Sequence, residues 1–135
     1  MSAYFNKEIT DGPYGSFQAD PGQADIPIYS RCKFVAGPAA DGQPMLQVCG
    51  IAEAADCVAM QPIVAGAWGT VKFTNAGGTQ FGNATEIIDV GDLVYSAAGG
   101  ACSKSTGSGA VLQGKCVLAA TAGNVFVYCP LAGTA

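Results

Sequence analysis

The sequence predicts an all-β protein, a small β-sandwich or β-barrel with an extended N-terminal arm and little helix. Three observations carry that expectation. Short runs rich in β-branched and aromatic residues recur from Ile28 to Leu131. Clusters of Gly, Asn, Asp and Ser separate them and supply the positive-φ residues that tight turns require. No window carries an apolar stripe at helical spacing with helix caps; the nearest, 50–60, is Ala-rich but short and reads as a single turn.

Eight strands are expected, at 28–35, 46–52, 57–64, 70–74, 85–90, 92–96, 111–118 and 125–131. Turns fall at their ends: Asn75-Ala76-Gly77-Gly78, Ala98-Gly99-Gly100 and Ala122-Gly123-Asn124. In Val125-Phe126-Val127-Tyr128-Cys129 both faces of the strand are apolar, so both need cover, and a neighbouring copy of so small a chain is a natural source.

The first 30 residues read differently. Pro13, Pro21 and Pro27 with Gly12, Gly15 and Gly22 interrupt any period, which assigns 1–30 to an extended arm and 31–135 to a single β domain. Tyr4, Phe5, Tyr14 and Phe17 are candidate interface residues, because a purely disordered tail is poor in rings that bury area. Trp68, the only tryptophan, sits among small residues in Ala65-Gly66-Ala67-Trp68-Gly69. It either packs in the core, the reading its size favours, or anchors an interface.

Composition excludes several functions. Half of the 135 residues are hydrophobic and 12% are charged, against about 25% in an average soluble domain. A surface so short of charge suits a chain partly covered by others. The net charge of −4 leaves no basic face for nucleic acid, and no apolar run approaches the length that spans a bilayer. The start, Met1-Ser2-Ala3-Tyr4-Phe5-Asn6-Lys7-Glu8, lacks the pattern of a secretory signal, so synthesis in the cytoplasm is expected.

Histidine is absent, which removes Ser-His-Asp, Cys-His and His-ligated metal chemistry. No enzyme activity, cofactor or metal is expected. Cys32, Cys49, Cys57, Cys102, Cys116 and Cys129 form no C-x-x-C pair. Two readings stay open for them: a disulfide framework whose pairing the sequence does not rank, or small buried hydrophobes kept reduced.

Other motifs have ordinary explanations. The run from Gly109 to Cys116 matches G-x-x-x-x-G-K but places Cys where a phosphate loop needs Ser or Thr, and strand-like residues follow it. The acidic pairs Glu53/Asp56 and Asp89/Asp92 have the residue types for acid–base work or calcium, but their neighbours argue against it, and Asp89-Val90-Gly91-Asp92 has the composition of a turn. Asn83-Ala84-Thr85 fits the glycosylation pattern without a secretory signal to support it.

Across residues 46–131 the pattern of glycines and apolar positions is familiar. Gly91-Asp92-Leu93-Val94-Tyr95 leads into the glycine hairpin Ala98-Gly99-Gly100, a short Lys104-Ser105-Thr106 strand, a glycine-rich segment to Gly114 and a last strand at 124–131. This resembles the bacteriophage capsid decoration, or cement, family. The resemblance implies a compact barrel or sandwich that forms a homotrimer on the outer surface of an assembled phage head, binds the major capsid protein and stabilises the shell. It thus implies a structural protein located in the virion. The arm and the cysteine count depart from the family, so neither the arm's partner nor any crosslink follows from the resemblance. The rival expectation is a receptor- or carbohydrate-binding β-sandwich module of a phage fibre or a cell surface.

Overall fold

A computed structural model describes residues 13–37, 43–74, 78–107 and 109–131 of the chain. Among the described residues ten strands form two sheets: β1 (Tyr14–Ala19), β2 (Arg31–Val35), β3 (Met45–Val48), β4 (Cys57–Ala59), β5 (Trp68–Phe73), β6 (Gln80–Asn83), β7 (Leu93–Ser96), β8 (Cys102–Ser103), β9 (Leu112–Leu118) and β10 (Val125–Pro130). The only helical segment among the described residues is one 3-10 turn at Ala98–Gly100. The all-β expectation holds.

The first five strands close into a barrel in the order β1-β3-β2-β4-β5, with β5 returning antiparallel to β1. Only β1 and β3 pair in parallel. Closure leaves no free edge, so every strand of a small barrel finds its ladder partners within the chain. Phe17, Ile26, Leu46, Ile63 and Val71 fill the interior with Cys32, Cys57 and Ala59. The ring of Phe17 lies 4.8 Å from that of Phe34 and 6.0 Å, edge on, from that of Phe73.

The arm expected over 1–30 is therefore not an arm from Tyr14 onward. Residues 14–19 are a barrel strand, and Ile26 exchanges backbone hydrogen bonds with Ile63. The physical reason is the alternation of Phe17 and Ala19, both buried, in a stretch whose prolines and glycines mask the period. Gly15 is part of the fit, since a Cβ there would meet the Phe17 and Phe73 rings at 2.8 Å.

The other five strands form an open sheet in the order β6-β10-β9-β7-β8. Its inner face carries Ile88, Val94, Cys102, Cys116, Phe126 and Tyr128, with the last two rings stacked 5.5 Å apart. Strand β6 was not expected, because Gln80-Phe81-Gly82-Asn83 has little β composition. Gly82 is needed there: a Cβ would come within 2.7 Å of the Phe126 ring. Residues 85–90, expected as a strand, are instead a loop in which Ile88 bridges Ala120. Asp89 and Asp92 close its turn, with the Asp89 N–H donating to the Asp92 carboxylate at 2.9 Å and Gly91 at φ 92°. Strand β9 begins at Leu112 inside the G-x-x-x-x-G-K match, so no loop-to-helix phosphate cradle exists there.

Arg31 joins the two halves. Its side chain is fully buried at the start of β2. Its Nε donates to the Ala101 carbonyl at 3.0 Å and its Nη2 to Ala97 at 2.8 Å, both beside the second sheet. From the same guanidinium, Nη1 donates to Glu53 at 3.1 Å and Nη2 to Gly50 at 3.3 Å, in the connection between β3 and β4. The planar fork suits such divergent acceptors, and a buried cation held by carbonyl dipoles is costly to disturb. Asn83 adds a second tie, its amide donating to the Ile28 carbonyl at 2.8 Å.

Candidate interaction surface

The outer face of the open sheet is built by strand register. Phe81 on β6 lies opposite Val127 on β10, and Val127 lies opposite Leu118 on β9. One step along, Cys129 faces Lys115, and Lys115 faces Leu93 on β7. Directly paired residues project to the same side, so these side chains form one continuous face. A register shift between Val127 and Tyr128 leaves Val117 as the extra residue on β9, and both Val117 and Leu118 reach solvent.

The face is apolar and is not covered by any of the described residues. Leu118 is 60% exposed, Val117 47%, Leu93 43%, Val125 40% and Phe81 38%. Lys115 is the one charged residue among those named. Isolated exposed apolar residues are ordinary on a protein surface, whereas a contiguous patch marks a place where something binds. The Phe81 ring also packs 4.8 Å from that of Tyr29, a residue held at φ 64°. A non-glycine residue in the left-handed region is uncommon, and here it sets an aromatic pair at the rim of the face.

The interface residues expected from the sequence separate in space. Tyr14 opens β1 and is half exposed. Phe17 is buried among the barrel rings and is a core residue, because it alternates inward on β1. Trp68, expected to pack in the core, is 52% exposed on the barrel exterior, since Gly69 and Val71 take the inward positions of β5. Tyr4 and Phe5 lie outside the described residues. Phe81, Leu93 and Leu118 were not among the interface residues expected from the sequence, although the two-sided apolarity of 125–129 pointed to the sheet that carries them.

The titratable groups do structural work. The Lys33 ammonium pairs with the Glu53 carboxylate, which also accepts from the Gly50 N–H at 2.6 Å. These hydrogen bonds hold the Glu53 carboxyl below its ordinary value. Asp56 accepts from the Phe34 N–H at 2.9 Å. The Glu86 carboxyl is lowered by hydrogen bonds from the hydroxyls of Ser103 and Ser105. Burial pushes the Cys102 thiol up to about 12 against the pull of the Arg31 guanidinium, and pushes Cys49 up to about 12 as well. A protonated thiol is a poor nucleophile. Among the described residues no group of three or more potential ligands could hold a metal ion, and no helix is long and apolar enough to cross a membrane.

Fold and surface together define a small all-β protein made of a closed barrel and an open sheet with an exposed apolar face. Compared with solved structures, it is similar to the head fiber gp8.5 N base of bacteriophage phi29, with a TM-score of 0.71 at 15% identity over 87% of this chain and 92% of that one. No protein-family model and no curated protein sequence matches the chain.

Proposed function

We propose that this chain is a structural protein of a bacteriophage virion, a decoration or cement protein that binds the outer surface of an assembled head and stabilises it. The observation that carries the reading is the fold likeness to a phage head fiber base across nearly the whole of both chains. The surface fits it. A protein that acts by assembly needs an exposed apolar face and no reactive centre, and the open sheet supplies such a face.

In this reading three copies associate through the outer sheet face, and the trimer engages the major capsid protein. Binding the assembled shell in preference to free subunits stabilises the shell by mass action, by about 2.7 kcal/mol per site at a hundredfold excess over Kd. Linking three modest contacts raises the effective concentration of the second and third. The half-exposed Tyr14 and Trp68, outside the sheet face, are candidates for the shell contact.

The test is to mix purified protein with undecorated heads, sediment them and image the pellet. Regular density on the head exterior, with a higher temperature of head disruption, is the expected result; protein left in the supernatant at micromolar concentration would refute it. A module of a phage fibre is the second reading, favoured because the similar structure is a fiber base. Sparse rather than lattice-wide density, or a clear hit on a glycan array, would select it.

A further inference from the structure

The sequence leaves the pairing of six cysteines open, but the fold does not treat them alike. Cys129 points outward on β10, while Cys102 and Cys116 lie on β8 and β9, separated by β7. Two strand spacings come to about 9–10 Å, beyond the roughly 7 Å between Cα atoms that a disulfide spans. Cys49 follows β3, with its thiol turned to the Ala54 carbonyl at 3.7 Å. Cys32 and Cys57 are different: they are direct partners on the antiparallel strands β2 and β4.

We infer that Cys32 and Cys57 are the site of a cross-strand disulfide that fastens the barrel. Both side chains are fully buried and belong to the same barrel core, so they project to the same side of the sheet. Directly opposed residues have Cα atoms about 4.5–5.5 Å apart, within the range a disulfide needs. The Cys57 thiol lies within reach of the Cys32 carbonyl at 4.0 Å, and the Cys32 thiol lies 3.5 Å from the Ser30 carbonyl. The inference does not depend on the virion reading.

The chemistry is thiol–disulfide exchange with a small-molecule disulfide such as oxidised glutathione. One cysteine thiolate attacks a glutathione sulfur and releases one glutathione thiolate. The second cysteine thiolate then attacks the mixed disulfide at the protein sulfur and releases the other. Two protein thiols are oxidised, one small disulfide is reduced to two thiols, and the two protons pass to the departing glutathione. Burial and the neighbouring thiol keep Cys57 protonated in the closed barrel. The bond therefore forms before the barrel closes, or when it opens.

The experiment refolds the reduced full chain with a mixture of oxidised and reduced glutathione, quenches it in denaturant with iodoacetamide, and digests it with trypsin and a glutamate-specific protease. Cleavage after Arg31, Lys33, Glu53 and Lys72 puts Cys32, Cys49 and Cys57 on separate peptides, 32–33, 34–53 and 54–72. The expected result is peptide 32–33 joined to 54–72, with the other four cysteines alkylated. The bridged protein should be about 2 Da lighter and melt roughly 10 °C above its reduced form. Six alkylated cysteines, or a bridge between any other pair, would overturn the inference. In Cys32→Val or Cys57→Val, chosen to keep the core apolar, the reductant-dependent difference in melting should vanish; its persistence would count equally against the bridge.

Discussion

The barrel and the open sheet each contribute five strands, yet they bury apolar surface in opposite ways. The barrel turns its rings inward onto one another and its ladders close on themselves, so it is complete within one chain. The open sheet has an inner face cored by Ile88, Val94, Phe126 and Tyr128, and an outer face of Phe81, Leu93, Val117, Leu118 and Val125 that none of the described residues covers. Strand chemistry is similar in both. The difference lies in closure: a barrel has one inside, whereas a flat sheet has two faces and can cover only one by folding a small chain onto itself. The barrel reads as the part that holds the molecule together and the open sheet as the part that meets something else.

The strongest test of that contrast cuts the link between the halves. Arg31→Met removes hydrogen bonds to four carbonyls and strands them beside an apolar side chain. We expect a loss of about 4 kcal/mol in denaturant-unfolding stability, and a loss under about 1 kcal/mol would mean that Arg31 is not the tie between the sheets.

Next comes the barrel interior. Phe17→Ala opens a ring-sized cavity between Phe34 and Phe73, with an expected cost of about 3–4 kcal/mol measured the same way. Its counterpart on the open sheet, Phe81→Ala, should cost the isolated chain less than about 1 kcal/mol, since that ring is already partly in water. Equal costs at the two positions would erase the distinction between core and contact face.

The outer face itself is tested by Leu118→Asp. A carboxylate at this position leaves the monomer's unfolding midpoint nearly unchanged but disfavours burial against another copy. If copies associate through this face as proposed, sedimentation velocity should show dissociation in this variant, with self-association weakened by at least about tenfold. Unaltered association would move the self-contact elsewhere, to the barrel exterior around Trp68.

The smallest effect concerns pH. Hydrogen bonds from Ser103 and Ser105 lower the folded-state pKa of Glu86 from its ordinary 4.5. Its contribution is therefore present above about pH 4.5 and is lost as pH falls through the lower folded value. Comparing acid unfolding of the wild type with Glu86→Gln should show a difference of under about 1 kcal/mol near neutrality that disappears in strong acid, because the group is close to solvent. A difference that grows on acidification would reverse the sign and refute the assignment.

Much of the architecture was legible in the residues. The strands at β7, β9 and β10 coincide with expected runs because β-branched and aromatic residues dominate them and glycines at positive φ, Gly99, Gly100 and Gly123, mark their ends. Strand β1 was hidden because Pro13, Gly15 and Pro21 resemble linker chemistry, and β6 because Gln80 and Gly82 occupy inward positions usually given to apolar side chains. The contact face was half legible: Val125, Val127 and Cys129 announced a second apolar side, but Phe81, Leu93 and Leu118 join it only through register.

What the amino-acid sequence by itself determined is local: all-β class, turn positions, the want of histidine chemistry and a surface short of charge. Those follow from residue type and short spacing, which act within a few positions along the chain. Only the tertiary structure decided that five strands close into a barrel while five stay open. It also turned Phe17 inward and Trp68 outward, buried Arg31 at the junction and set Cys32 against Cys57. Each of these depends on contacts between residues distant in sequence, and a period of two along a strand states that a strand has two faces without stating what will cover either.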